Sequence, residues 1–396
     1  MKRLVIRGLT LLIVLLSLVP LSLAQAVEAT VSLEYRGGEA AQFAHTTVPA
    51  AACTLMPAFC RNVTTFSAPM NYTKLTIVSR NVPRDEFYGT LPGPRQAYLV
   101  HEQSGEQQPV QLTFTRIGQR VSSPDRDKNP AVAATRVAGT CNIQPGVWST
   151  SNEYITRWYY TQPPGTCATR PRYSTYGQEE IVDVSELNLG YTVSLPPPYR
   201  FKSGRYTGTV RYSFGVGGDF DFGDRVSSLS DNELVVNLVV DVQHGFRVEF
   251  GANFEHAVLE PPGGWSSWLD GGRVPPRIAS DQSLRLWSSG PFRVYKLCEF
   301  DAGDRCAIRN RRGEDVPVEV RVTMPWGIRQ GGWQGINRVP VPTGSSAALE
   351  LEPIVYTSNG PGQVHFEVVE ADLRPMLERA GERYSGKVTL MFDAEL

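Results

Sequence analysis

The sequence predicts an all-β protein built from β-sandwiches, and three observations carry that prediction. Short stretches of alternating apolar and polar residues recur along the chain, for example Thr30 to Tyr35, Val110 to Thr115, Glu233 to Phe250 and Val316 to Thr323. Turn clusters punctuate them, including Gly37-Gly38, Gly217-Gly218, Pro261 to Gly264, Gly331-Gly332 and Asn359 to Gly362. Helical periodicity is nearly absent: the best candidate, Glu370 to Ala380, is interrupted by Pro375. A single irregular barrel is the competing all-β architecture.

The chain has 396 residues, with 41% hydrophobic and 20% charged. Those proportions exclude a disordered tail or a coiled coil, and the length supports two or three domains. The formal net charge of −1 gives no global attraction to nucleic acid.

The start of the chain reads as an export signal over residues 1–26. Lys2, Arg3 and Arg7 precede an apolar run from Leu9 to Val19, and both Ser22-Leu23-Ala24 and Ala24-Gln25-Ala26 fit a signal-peptidase site. The run is too short to span a bilayer. Removing it takes away three cations and leaves a net charge of −4.

All six cysteines follow this segment: Cys53, Cys60, Cys141, Cys167, Cys298 and Cys306. An even number in an exported protein reads as disulfides. Six cysteines allow fifteen pairings, of which 53–60, 141–167 and 298–306 close the shortest loops. No CxxC and no nearby pair of histidines suggests a metal, and no cofactor is expected.

Two segments echo each other. Ser203 to Phe214 reads SGRYTGTVRYSF and Ala380 to Phe392 reads AGERYSGKVTLMF, each expected as the last long strand of a sandwich. Between them Asp224 to Glu233, DRVSSLSDNE, is polar and aperiodic and reads as a linker. This places an N-terminal domain over 27–226 and a C-terminal domain over 227–396.

The terminus YSGKVTLMFDAEL puts Val388, Leu390 and Phe392 on one strand face, after a Gly-x-x-Tyr-x-Gly motif. It resembles the carboxyl end of chaperone–usher pilins. Upstream, WSSGPFRVYKLCEFDAGDRCAIR (Trp287 to Arg309) and SGRYTGTVRYSFGVGGDFDFGD (Ser203 to Asp224) are similar to the CblD-like pilus biogenesis initiators, the CfaE-type minor subunits at the tip of class 5 and related fimbriae. The resemblance implies two immunoglobulin-like domains, an adhesin followed by an incomplete pilin. In such a pilin a missing strand leaves an apolar groove, here lined or flanked by Val388, Leu390 and Phe392. A periplasmic chaperone fills the groove first; the major pilin subunit's donor strand then replaces it at the outer-membrane usher. The location implied is the fimbrium tip, reached through the periplasm.

Such a tip protein would bind a host cell-surface glycan or glycoprotein. The stretch from Cys141 to Tyr176 is dense in aromatics, with Arg157, Arg170 and Arg172 interleaved. Aromatic faces stack on sugars and arginine forks grip carboxylates, so Arg157, Trp158, Tyr159, Arg170 and Arg172 are receptor candidates, with Arg200 and Arg205 as a second group. Ordinary core packing with solvated arginines is the alternative.

No HExxH, GxSxG or SxxK constellation accompanies the five histidines, so no enzyme is expected. Asp219, Asp221 and Asp224 lack the remaining spacing of a calcium loop and read as a hairpin turn. The rival functions are a shaft or adaptor pilin without receptor binding, and a secreted β-sandwich lectin or glycoside hydrolase unrelated to pili.

Overall fold

The computed structural model describes residues 26–38, 42–148, 150–252, 254–379 and 381–394. The export-signal reading lies outside them except for Ala26. The described residues are almost all β, and no helix among them is long and apolar enough to cross a membrane.

The principal strands of the first half are β1 (Ala26–Arg36), β2 (Tyr72–Ile77), β3 (Phe87–Leu91), β4 (Arg95–His101), β5 (Gln107–Ser122), β6 (Glu153–Tyr159), β7 (Gly165–Arg170), β8 (Glu179–Ser194), β9 (Gly204–Ser213) and β10 (Glu233–Gln243). The main sheet runs β2-β8-β5-β4-β9-β10-β1, with β6 beside β5; β3 and β7 pair in a small separate sheet. Alternation explains these strands directly. In β1 the buried positions are Val27, Ala29, Val31, Leu33 and Tyr35, and in β10 they include Leu234, Val236, Leu238, Val240 and Val242. Together they form one core.

The second half contains β11 (Phe246–Phe250), β12 (Arg277–Ser288), β13 (Phe292–Cys298), β14 (Arg305–Arg309), β15 (Asp315–Thr323), β16 (Leu349–Pro353), β17 (Thr357–Val369) and β18 (Val388–Ala394). One sheet runs β11-β12-β17-β15-β14 and the other contains β16-β13-β18. Between them lies a second core, with Leu286, Val294, Val320, Ile328 and Val364 deeply buried. The helical stretch found in the sequence is α1 (Glu370–Leu377), which contains Pro375 and buries Leu373 against this core.

The expected linker at 224–233 is corrected by the structure. That segment is fastened along β2: Leu75 donates to the Arg225 carbonyl at 3.2 Å and Ser230 to the Asn71 carbonyl at 2.9 Å. The strand after it, β10, belongs to the first core, pairing antiparallel with β9 and in parallel with β1. β9 is therefore not the last long strand of the first core. The chain leaves the first core at His244-Gly245. There the buried His244 ring bonds the Phe201 carbonyl at 2.8 Å, and Ser289 Oγ accepts from the Gly245 N–H at 2.9 Å. Gly290 must be glycine, because a Cβ would stand 2.3 Å from the His244 ring.

The three disulfides pair Cys53–Cys60, Cys141–Cys167 and Cys298–Cys306, the short-loop set. The last ties the end of β13 to β14 and so joins the two sheets of the second half.

The DFDFGD segment is a turn closed by a Phe214–Phe220 bridge, and arginines occupy its carboxylates. Arg84 binds Asp221 and Asp224, both at 2.9 Å, and Arg95 binds Asp219 at 2.5 Å. The fully buried Lys74 ammonium donates to the carbonyls of Asp224 (2.7 Å), Phe222 (2.9 Å) and Arg84 (3.1 Å). Burial, partly offset by Asp224, lowers its pKa to about 8. With the folded value below the unfolded one, the unfolded chain holds the extra proton between about pH 8 and 10.5. Stability should therefore rise through that window, by up to roughly 3 kcal/mol. Urea unfolding at pH 8 and pH 10 measures this; Lys74→Met should lose most of the rise, and a flat wild-type profile would contradict it.

Candidate functional site

The terminal strand β18 reads VTLMFDA, and its alternation turns Val388, Leu390, Phe392 and Ala394 toward the second core. None of them is fully covered: every residue of β18 is only half-buried. On one side β18 pairs antiparallel with β13, from Val388↔Cys298 to Ala394↔Phe292, and the Arg293–Asp393 ion pair at 2.6 Å holds its end. On the other side it has no strand partner among the described residues.

The opposite sheet ends in a second open edge. Among the described residues β11 pairs only with β12. Its Phe246 and Val248 are half-buried against the same core, and Phe250 is 41% exposed. The rings of Phe250 and Phe392 meet across the gap, with centroids 6.0 Å apart. Two edge strands, one from each sheet, thus border a half-covered apolar slot, at whose rim the Phe254 ring stacks on Phe250 with centroids 3.9 Å apart. An open apolar edge is a template for another strand.

In the first half the edge of β9 is covered. There β10 lies antiparallel to β9 and parallel to β1, closing the first core. By the sequence echo β18 corresponds to β9. Among the described residues, no strand takes beside β18 the place that β10 takes beside β9.

The receptor candidates are not brought together into one patch. Trp158 is 1% exposed, with its ring 5.5 Å from Phe87 and pressed against Gly89. It is a core residue, which corrects its assignment as a sugar-stacking surface. Tyr159 is half-buried, 6.3 Å from Phe59 and under the Arg116 guanidinium at 5.0 Å. Arg157, also half-buried, lies on β6 opposite Gln144 of the neighbouring strand. Arg170 is committed to the buried Glu86 at 2.5 Å and to the Ser79 carbonyl at 2.7 Å. Arg205 is held by Asp241 through two hydrogen bonds, at 2.9 and 3.3 Å, and exposed Arg200 lies in the turn before it. Arg172 alone keeps the expected character: it is exposed, 5.6 Å from the ring of Tyr173, itself 86% exposed.

No protein-family model matches the chain, and no curated protein does. Ten solved chains do. One belongs to a chaperone–tip adhesin complex of CFA/I fimbriae biogenesis: 9% identity, 94% of this chain and 96% of that one covered, TM-score 0.26. Another is from the CsuC–CsuE chaperone–tip adhesion subunit pre-assembly complex of the archaic Csu pili of Acinetobacter baumannii. Its identity is 12%, coverage 93% and 99%, and TM-score 0.22. Both lie below the level at which likeness transfers a role.

Sequence reasoning missed the β11 wall of the slot. Its signal was present in FRVEF, residues 246–250, but stood inside one long alternation from Glu233 to Phe250. It also missed Arg80, whose guanidinium lies 4.4 Å from the ring of the exposed Tyr176, close to Arg172 in sequence.

Proposed function

We propose that this chain is a two-domain fimbrial tip subunit of the chaperone–usher type, exported through the periplasm to the cell surface. Both domains are immunoglobulin-like sandwiches, and the boundary between them is the His244-Gly245 crossing. The first is a complete adhesin domain. The second is a pilin domain lacking one strand, and the slot between β11 and β18 is its acceptor groove. The observation that carries this reading is the contrast between halves: β10 closes the first sandwich, and the equivalent place beside β18 is open.

A periplasmic chaperone then lends a strand to the slot, and the extended segment of the next pilin replaces it at the outer-membrane usher. The work is strand exchange; no enzymatic chemistry enters. The first domain carries the host receptor function, toward a surface glycan or glycoprotein.

Periplasmic co-expression with a chaperone of the chaperone–usher type tests the reading. The chain should copurify with the chaperone in equimolar amounts and be degraded or aggregated without it. Leu390→Asp, which puts a charge into the slot, should lower the recovered complex at least tenfold. A chain that accumulates as a stable monomer and ignores the chaperone would overturn the proposal.

A further inference from the structure

The first half carries an open cleft of about 650 Å³ that none of the sequence candidates touches. Three segments form it, Pro92-Gly93-Pro94, Pro164 with the start of β7 at Gly165-Thr166, and Gly218-Asp219, with Thr140 at the rim. Its position follows from the strands. β9 begins beside the His244 seam, where Ser203 Oγ accepts from the His244 N–H, and runs ten residues to Ser213. Asp219 holds that far end, accepting from the Ser213 N–H at 2.8 Å and bonding its hydroxyl at 3.0 Å. At ~3.3 Å per residue the cleft stands about 30 Å from the seam, at the end of the first half remote from the second.

The chemistry of the walls is specific. Arg95 and Asp219 form an ion pair at 2.5 Å, and the Arg95 guanidinium is stacked on the Tyr212 ring at 4.5 Å. The two charges cancel, so the cleft offers hydrogen-bond donors and acceptors without a net field. A carboxylate-bearing ligand entering it would meet Asp219 as well as Arg95. The hydroxyls of Thr140 and Thr166 make no hydrogen bond among the described residues, and the exposed Pro94 and Pro164 supply apolar ring faces. The volume falls in the range of small-molecule sites, ~300–1,000 Å³. Donors and acceptors in alternation beside apolar C–H surface match an uncharged, polyhydroxylated ring.

We propose that this cleft binds a neutral sugar residue, with Arg95 and Asp219 reading its hydroxyls and the prolines covering its apolar face. The biological sense of the site rests on the adhesin reading; the binding itself does not. The site differs from an arginine patch for acidic sugars, because its one arginine is already neutralised.

Saturation-transfer NMR on the purified chain, with the methyl glycosides of glucose, galactose, mannose and N-acetylglucosamine and with sialyllactose, tests this. At least one methyl glycoside should show saturation transfer. Asp219→Asn and Thr140→Tyr, the latter filling the cleft from an exposed rim position, should each weaken it at least tenfold while Arg172→Ala leaves it unchanged. Circular dichroism melts confirm that each variant is folded. Absence of transfer to every methyl glycoside, or unchanged binding in both folded cleft variants, overturns the proposal. Adherence to cultured epithelial cells separates the two readings. Wild-type adherence that survives both cleft variants removes the cleft and leaves the adhesin standing. Sugar binding without adherence leaves the cleft and removes the adhesin.

Discussion

A seven-residue alternating strand appended through a short flexible linker after Leu396 should raise the melting temperature of the second half by about 12 °C. The slot dictates the design. β18 spans seven residues, ~23 Å at ~3.3 Å per residue, so a strand antiparallel to it places four side chains inward. Burying four aliphatic groups contributes about 6–12 kcal/mol, and a new ladder of backbone bonds contributes about 1 kcal/mol for each bond. Ordering seven residues costs about 7–14 kcal/mol. The balance is a net gain of about 4 kcal/mol, and at ~3 °C per kcal/mol it gives the stated shift. The control is the same strand shifted by one residue, which turns its apolar face to solvent. If the shifted strand stabilises as much as the correct one, the slot between β11 and β18 is not an acceptor.

What the sequence disclosed about this slot, and what it did not, has a physical basis. The alternation of β18 was visible because a half-buried strand writes period two into its own residues. The opposite wall was hidden because β10 and β11 are both alternating and nearly contiguous, and only the packing of His244 against Phe201 and Ser289 separates them. The linker expected over 224–233 has the same origin. Residues 224–233 are polar, and polarity read as a linker, but backbone bonds to β2 hold them, and side-chain periodicity cannot report such bonds. The cysteine pairing was legible because short loops are the cheapest to close. The cleft around Arg95 and Asp219 was not, since its walls come from segments scattered between residues 90 and 219. The aromatic-rich stretch after Cys141 misled for a related reason: composition shows that aromatics are present and does not show which face of a strand they take.

Trp158→Ala should accordingly destabilise the first half by about 3–5 kcal/mol, the range for truncating a buried tryptophan, instead of acting on ligand binding alone. The indole sits between the main sheet, where β6 pairs with β5, and the small sheet of β3 and β7. Its edge meets Phe87 of β3, and Gly89 two residues on lies close enough that an added Cβ would stand 2.9 Å from the ring. Truncation therefore opens a cavity where two sheets meet, and neither can close it without breaking its own ladder. Trp158→Phe keeps a ring there and should cost less than half as much. Arg172→Ala, at an exposed position, should shift stability by no more than ~0.5 kcal/mol. Urea unfolding followed by tryptophan-independent circular dichroism separates these cases, with an unchanged m-value confirming that stability and not the unfolded state has moved. A Trp158→Ala protein as stable as wild type that had lost adherence would return this residue to the surface role its sequence context suggested.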